Sequence, residues 1–155
     1  MIYNIYTDGA CSGNGKKDAI GGWAFVILNE NEKIVAHAAE AENNTTNQRM
    51  ELKACIEACE ALSMIDPFAQ KVNLYSDSAY LVNCFKQNWW KSWEVNGWKN
   101  SKKEPVANQD LWKKIIPYFQ MTPAYDFIKV KGHANNKYNC LVDEMAVNAV
   151  RLYEV

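Results

Sequence analysis

The 155-residue sequence has no apolar run that approaches the roughly 18 residues of a membrane span. Its first residues lack the basic start of a signal peptide and reach an aspartate at position 8. The five cysteines are odd in number and include no CxxC pair, and no second Cys/His pair has zinc spacing. These absences predict reduced thiols in a cytosol-like compartment, and we expect a cytoplasmic protein.

An excess of charge of one sign is also lacking, since 17 Lys+Arg face 18 Asp+Glu for a net charge of -1. That balance argues against a protein that holds nucleic acid by bulk attraction alone. The placement is uneven, because residues 86–103 contain five lysines and one glutamate. A composition of 48% hydrophobic and 23% charged residues excludes a disordered or fibrous chain. With no repeat or linker, we predict one domain over residues 1–155.

Apolar patterning predicts an α/β protein with elements in the order βββαβα(α)αβα. The strands are predicted over 2–8, 23–28, 33–41, 72–76 and 125–130, and the main helices over 47–63, 78–88, 108–119 and 140–153. The glycine-rich stretch 9–22 is predicted to be a turn and loop. Three strands before the alternating elements indicate a five-stranded mixed sheet, three antiparallel strands and then parallel ones, with helices on both faces.

Four carboxylates lie near the ends of these predicted elements. Asp8 closes the first strand, Asp77 closes the fourth, Glu51 lies in the opening turns of the long helix, and Asp143 lies near the start of the last. Ligands of α/β sheets collect at strand ends, and hard oxygen donors suit Mg²⁺ or Mn²⁺. The alternative is that each carboxylate caps a helix or forms a surface ion pair.

Two of these acids also lie where a helix cap can occur, which is an alternative to metal binding. Ser76 or Asp77 is predicted to cap the second helix, and Asp143 also sits where a cap can occur. The long helix is predicted to begin with a capping box between Thr45 and Gln48.

The residues around the four carboxylates form a set of motifs in a fixed order. They are Thr-Asp-Gly-Ala-Cys at 7–11, Thr-Asn-Gln-Arg-Met-Glu-Leu at 46–52, Tyr-Ser-Asp-Ser-Ala-Tyr at 75–80, and Val-Lys-Gly-His-Ala at 130–134 with Asp-Glu-Met-Ala at 143–146. A single one of these motifs is weakly specific, but the ordered combination is highly specific. The chain from about residue 2 to 146 closely resembles type 1 ribonuclease H.

The resemblance implies a ribonuclease H-like fold and a Mg²⁺-dependent endoribonuclease. Such an enzyme hydrolyses the RNA strand of RNA–DNA hybrids by two-metal-ion catalysis and leaves 5′-phosphate and 3′-hydroxyl ends. The resemblance assigns Asp8, Glu51, Asp77 and Asp143 as catalytic metal ligands, for two Mg²⁺ ions when substrate is bound, with Mn²⁺ as an alternative. It assigns His133 to proton transfer or product release. The implied partner is the hybrid, with no membrane and no obligate protein partner, and we expect a monomer.

The resemblance also implies a set of substrate-binding residues. On the RNA side these are Cys11, Asn14, Asn47 and Gln48, while Thr46 and Asn14 help to hold a phosphate of the DNA strand, and Asn139 completes the set. Residues 86–104 correspond to a basic, tryptophan-rich handle that grips the DNA strand, in which Trp93 is assigned to packing and Lys99 to a phosphate. The sequence departs from the family at Gln48, where a second Asn is common, and at Ala79, where a Gln is common.

Three other functions remain as alternatives at this stage. A 3′–5′ exonuclease of the proofreading type carries Asp-x-Glu on its first strand, whereas Asp8 is followed by Gly9 and Ala10. A non-catalytic hybrid-binding module should lack at least one of the four carboxylates. A metabolic Mg²⁺ enzyme is disfavoured because no phosphate-binding loop is present.

Overall fold

The computed structural model describes residues 1–121, 125–131 and 136–154. In these parts of the chain, the strands are β1 Ile2–Ser12, β2 Ile20–Leu28, β3 Ile34–Asn43, β4 Lys71–Ser76 and β5 Tyr125–Lys129. The helices are α1 Asn47–Ile65, α2 Ala79–Lys86, α3 Trp89–Val95, α4 Gln109–Met121 and α5 Lys137–Glu154. The order of elements agrees with the prediction. Among the described helices, none is long and apolar enough to cross a membrane.

The five strands form one mixed sheet in the order β3-β2-β1-β4-β5. The pairs β1–β2 and β2–β3 are antiparallel, whereas β1–β4 and β4–β5 are parallel. The prediction of three antiparallel strands followed by parallel ones is therefore confirmed. Strand β1 lies at the centre, between its antiparallel neighbour β2 and its parallel neighbour β4.

Helices cover both faces of the sheet, as predicted. On one face a large core cluster contains the buried residues of α1, α2 and α4 together with side chains of β1, β2, β4 and β5. On the other face α5 packs through Val142 and Ala146 against Ala24 and Val26 of β2. Because both of its faces are covered, β2 is buried along almost its whole length.

The predicted loop over residues 9–22 is wrong at both of its ends. Strand β1 continues to Ser12 and β2 begins at Ile20, so that Ala10 pairs with Gly22 and Cys11 with Gly21. The turn itself needs only Gly13 and Gly15, whose φ angles are +72° and +84°. The remaining glycines lie in strands where a helix crosses close to the sheet, so they do not mark a turn.

The residue that caps helix α1 also differs from the prediction. The Thr46 side chain, and not that of Thr45, caps this helix by accepting a hydrogen bond from the Arg49 backbone N–H at 3.1 Å. Thr45 is buried just before the helix. The predicted capping box between Thr45 and Gln48 is therefore wrong, and the cap lies one residue later than predicted.

The starts of helices α2 and α5 test the alternative that Asp77 and Asp143 are helix caps. Helix α2 is capped by Ser78, whose hydroxyl accepts from the Leu81 backbone N–H at 3.1 Å, so the predicted cap at Ser76 or Asp77 is wrong. Helix α5 begins at Lys137, after an Asn136 side chain that accepts the first backbone amides, which places Asp143 in the second turn. Neither Asp77 nor Asp143 therefore caps a helix.

An aromatic cluster anchors the tryptophan-rich segment to the body of the protein. Trp112 of α4 is fully buried, and its indole N–H donates to the Tyr80 hydroxyl at 3.0 Å. The ring of Trp93 in α3 lies 5.5 Å from that of Trp112 and 5.7 Å from that of Trp98, as centroid distances. The assignment of Trp93 to packing agrees with these contacts.

We expect Trp112→Ala to lower the free energy of unfolding by about 3–5 kcal/mol, because it leaves a large cavity in the core and removes the partner of the Tyr80 hydroxyl. Urea denaturation followed by circular dichroism measures the change. The matched control is Phe68→Ala, since the Phe68 side chain is 86% exposed and its removal should change stability by less than about 0.5 kcal/mol. Equal losses in the two variants would contradict the anchoring role of Trp112.

Candidate active site

Three of the predicted carboxylates meet at one edge of the sheet. Oxygens of Asp8, Glu51 and Asp77 lie within 4.8 Å of one another. Asp8 and Asp77 each lie two residues beyond Tyr6 and Tyr75, which are partners in the parallel β1–β4 pairing. The register of the central strands therefore brings these two aspartates side by side, and the first turns of α1 add Glu51.

Asp143 joins the cluster from the opposite face of the sheet. It lies in the second turn of α5, and its carboxyl group is hydrogen-bonded to that of Asp8. The four carboxylates thus come from two strands and from one helix on each face. The structure brings together all four of the residues that the sequence singled out.

The environment of this acidic cluster opposes its ionisation. Burial, then the charge of Asp77, then the hydrogen bond with Asp143 raise the pKa of Asp8 to about 9. Burial also raises the pKa of Glu51 to about 7, with a further contribution from Asp77. A hydrogen bond with the Ser78 hydroxyl lowers the pKa of Glu51, so the residue that caps α2 also stabilises this carboxylate.

The cluster lacks a cation among the described residues that could offset these charges. None of the groups that shift the pKa of Asp8 or Glu51 is a lysine or an arginine. The ion pairs of the described residues involve other acids, in Arg49–Asp110 and Lys53–Glu57. Several partly buried oxygen donors without a protein cation are the ligand set that a hard divalent ion requires. The residues present therefore fit a divalent metal.

A groove beside the acidic cluster contains most of the predicted RNA-side residues. Asn14, Thr46, Asn47 and Gln48 line a cleft of about 580 Å³. The Asn14 side chain accepts a hydrogen bond from the Asn47 backbone N–H at 3.0 Å, which ties the β1–β2 turn to the start of α1. The structure thus gathers residues from two distant segments into one polar surface.

Cys11 does not line this groove, but lines a separate pocket of about 220 Å³ with Val147 and Val150 of α5. Its thiol donates to the Thr45 backbone carbonyl at 3.9 Å, one residue before the Thr46 cap. Cys11 is partly exposed and lies near the end of β1, just before the turn to β2. It remains a predicted substrate contact.

Asn108 lines the same groove and was not predicted. Its amide oxygen accepts from the Arg49 guanidinium at 3.3 Å, and its amide nitrogen donates to the Tyr80 hydroxyl at 3.2 Å. Arg49 also makes two hydrogen bonds to Asp110, at 2.8 and 3.0 Å. In the sequence, Asn108 has only the signature of a residue before a helix, and nothing there links it to Arg49, which is 59 residues earlier.

The other predicted site residues lie elsewhere. Asn139 is only 3% exposed in the first turn of α5, so it is placed among the buried polar residues. Lys99 lines a separate cleft of about 350 Å³ together with Trp89 and Trp93. His133 lies outside the described residues.

The comparison with known proteins gives one consistent family. The sequence model of the family described as RNase H matches residues 2–151. A curated protein from Thermoanaerobacter sp. (strain X514), called ribonuclease H, is 47% identical over 150 residues, which cover 97% of this chain and 90% of that protein.

Solved structures share the fold. LC9-RNase H1, described as a type 1 RNase H with the type 2 active-site motif, superposes with a TM-score of 0.80 at 27% identity, covering 97% of this chain and 72% of that one. LC11-RNase H1, solved in complex with an RNA/DNA hybrid, has a TM-score of 0.76 at 23% identity and covers 99% of both chains. The second likeness concerns the fold alone.

The metal-free protein should lose stability as the pH rises. An acid whose pKa is raised in the folded state resists ionisation there, so stability is highest below its unfolded pKa of about 4 and falls until the folded pKa is passed. We expect the melting temperature in EDTA to fall from about pH 5 to pH 9, and Asp8→Asn to flatten this fall. At about pH 8, Asp8→Asn should gain roughly 2 kcal/mol or more in free energy of unfolding.

The control for this measurement is Asp126→Asn, which removes an exposed carboxylate of β5 away from the cluster. Its pH profile should match that of the unaltered protein. If the melting temperature of Asp8→Asn fell with pH as steeply as that of the unaltered protein, this would contradict the raised pKa of Asp8.

Proposed function

Since the chain belongs to the RNase H family, of the type 1 bacterial kind, we propose that it is an endoribonuclease acting on the RNA strand of RNA–DNA hybrids by two-metal-ion catalysis. The products carry 5′-phosphate and 3′-hydroxyl ends. The observation that carries this proposal is the cluster of Asp8, Glu51 and Asp77, with Asp143 hydrogen-bonded to it, in a chain that matches the family over nearly its whole length.

The four carboxylates hold the metal in this proposal, and the metal is Mg²⁺, with Mn²⁺ as an alternative. When bound, two divalent ions lower the pKa of an attacking water and stabilise the departing 3′ oxygen. Asp8 and Asp77 supply donors from adjacent strands, while Glu51 and Asp143 supply them from the two helices. Carboxylate oxygens without a thiolate or imidazole favour Mg²⁺ over zinc.

The substrate lies across the groove in this proposal. Asn14, Asn47 and Gln48 present amide groups, which both donate and accept hydrogen bonds and so suit the 2′-hydroxyls of a wide, shallow minor groove. Thr46 and Asn14 hold a phosphate of the DNA strand. Cys11 and Asn139 stay in the proposed substrate-binding set as implied by the family resemblance.

His133 transfers a proton or assists product release, because an imidazole titrates near neutral pH. Asp8, Glu51, Asp77 and Asp143 hold the metal, so a proton acceptor that is not a ligand is needed nearby. His133 precedes Asp143 by ten residues in the sequence.

The protein acts as a monomer with one domain over residues 1–155, in the cytoplasm. Three of its cysteines, Cys55, Cys59 and Cys84, are buried free thiols, which suit a reducing compartment. In this proposal the hybrid binds without an obligate protein partner.

The decisive experiment offers labelled RNA–DNA hybrid, double-stranded RNA and double-stranded DNA to the protein with Mg²⁺. We expect cleavage of the RNA strand of the hybrid alone. Asp77→Asn should reduce that cleavage by at least about 10³-fold, because it removes a ligand charge from the site of the reaction. Denaturing gels of the end-labelled RNA measure both the rate and the position of the cuts.

The matched control for this assay is Asp66→Asn, which changes an aspartate at the far end of α1 and should leave the rate of cleavage unchanged. Absence of hybrid cleavage by the unaltered protein, or full cleavage by Asp77→Asn, would refute the proposed function. Cuts that start only from a 3′ end would favour the exonuclease alternative.

The lysine-rich part of the handle supplies the second test. Lys99, Lys102 and Lys103 lie in a turn that the Asn100 side chain holds by accepting the backbone amides of residues 102 and 104. We expect the triple alanine variant to weaken hybrid binding and to lower the slope of log K against log salt by about 1 for each lysine that contacts a phosphate. Fluorescence anisotropy across a salt series, with Ca²⁺ in place of Mg²⁺ to prevent cleavage, measures the slope.

The control removes Lys33 and Lys71, two exposed lysines at the end of the sheet opposite to the acidic cluster. It should leave the slope unchanged. An unaltered slope in the triple variant would show that the handle does not bind the DNA strand.

A further inference from the structure

The four carboxylates of the cluster are held in two different ways. The parallel pairing of β1 and β4 constrains the spacing of Asp8 and Asp77, because Asp8 lies in β1 and Asp77 directly follows β4, each two residues beyond the paired Tyr6 and Tyr75. Glu51 and Asp143 have no such constraint, since they are carried by helices on opposite faces of the sheet. Their distance from Asp8 depends on how closely α1 and α5 approach the strands.

Gly9 sets the approach of α1. A Cβ atom at Gly9 would lie 2.6 Å from the backbone nitrogen of Glu51 and 2.7 Å from the carbonyl carbon of Met50. Both contacts are with the backbone of the first turn of α1, so no side-chain rotation can relieve them. Gly9 also donates its backbone N–H to the Asp8 carboxylate at 2.9 Å, which places this contact directly beside the cluster.

Gly22 sets the approach of α5 on the other face. A Cβ atom at Gly22 would clash with the backbone oxygen of Ala146, which follows Asp143 by one turn. This contact is again with backbone. Gly22 pairs with Ala10 in the adjacent strand, two residues after Asp8, so the crossing of α5 also lies next to the cluster.

We propose that Gly9 and Gly22 are positioning residues that set the distance of the helix-borne carboxylates Glu51 and Asp143 from the strand-borne Asp8, and thereby the metal affinity of the site. The inference rests on the proposed metal-dependent function. Any side chain at either position displaces a helix by several tenths of an ångström or more, because ordinary Cβ contacts begin near 3.4 Å.

Such a displacement matters more for Mg²⁺ than for a larger ion. Mg²⁺ requires near-octahedral geometry with short bonds to its ligands, whereas Ca²⁺ accepts six to eight oxygens in flexible arrangements. Moving a carboxylate out of place should therefore select against Mg²⁺. This difference between ions separates a positioning role from a general loss of structure.

The experiment measures binding of Mg²⁺ and of Ca²⁺ to the folded protein by isothermal titration calorimetry, without substrate. We expect Gly9→Ala and Gly22→Ala each to weaken Mg²⁺ binding by roughly 10–100-fold, and Ca²⁺ binding by less. Circular dichroism verifies that each variant is folded. Trimethylamine N-oxide, which favours the compact state, is present throughout so that a destabilised variant is also measured in its folded form.

The control for lost stability is Leu62→Ala, which removes a buried side chain near the far end of α1 and presses nothing against the cluster. It should lower the melting temperature but bind Mg²⁺ as the unaltered protein does. If Gly9→Ala does not fold even with the osmolyte, Gly22→Ala carries the test, because it displaces α5 and leaves α1 in place.

The outcomes separate this inference from the function on which it rests. Absence of both Mg²⁺ binding and Mg²⁺-dependent cleavage of the hybrid by the unaltered protein would refute the metal-dependent function. Normal binding by the unaltered protein and equal affinity in the folded glycine variants would overturn the positioning role. An equal loss in Leu62→Ala, or equal losses for Mg²⁺ and Ca²⁺, would likewise overturn it.

Discussion

The active site depends on holding four carboxyl groups together where water is partly excluded. Asp8, Glu51 and Asp77 approach within 4.8 Å, Asp143 is hydrogen-bonded to Asp8, and none of the groups that shift the pKa values of Asp8 and Glu51 is a cation. Burial and mutual repulsion both disfavour this arrangement, so the free energy that maintains it comes from the apolar core on either side of the sheet. A site of this kind forms only on a scaffold that is stable enough to oppose it, and a bound divalent ion removes the conflict.

The arrangement of the elements explains how one short chain achieves this. The central strand β1 touches its antiparallel and parallel neighbours and both helical layers, so Asp8 is within reach of every part of the fold. Asp77 arrives through the parallel pairing, Glu51 from above the sheet and Asp143 from below. Ser78 connects two tasks, because it caps α2 and stabilises the Glu51 carboxylate. The groove of Asn14, Thr46, Asn47 and Gln48 then forms where α1 begins.

The architecture could be predicted from the sequence because apolar periodicity reflects burial on the two faces of a sheet, and the order of elements limits the topology. The four carboxylates could be predicted because each lies inside a specific motif, although Asp8 lies within β1 and not at its end. The predicted loop was wrong at Gly9 and Gly22, because a strand glycine that is needed for close helix contact looks the same in sequence as a glycine in a turn. Caps were misplaced by one or two residues, since Ser, Thr and Asp stand next to one another at those starts. Asn108 could not be predicted, because its role depends on a tertiary contact with Arg49.

The link between Arg49 and Asp110 has a mechanical consequence. Arg49 sits two residues before Glu51 on the helix that contributes to the acidic cluster, and Asp110 sits two residues before Trp112, on which the tryptophan-rich handle is packed. The tryptophan-rich handle and the helix that carries Glu51 are therefore connected by a direct contact between α1 and α4. If the handle binds the DNA strand as proposed, this link keeps that contact at a set distance from the carboxylates that act on the RNA strand, so that only a duplex of matching width reaches both.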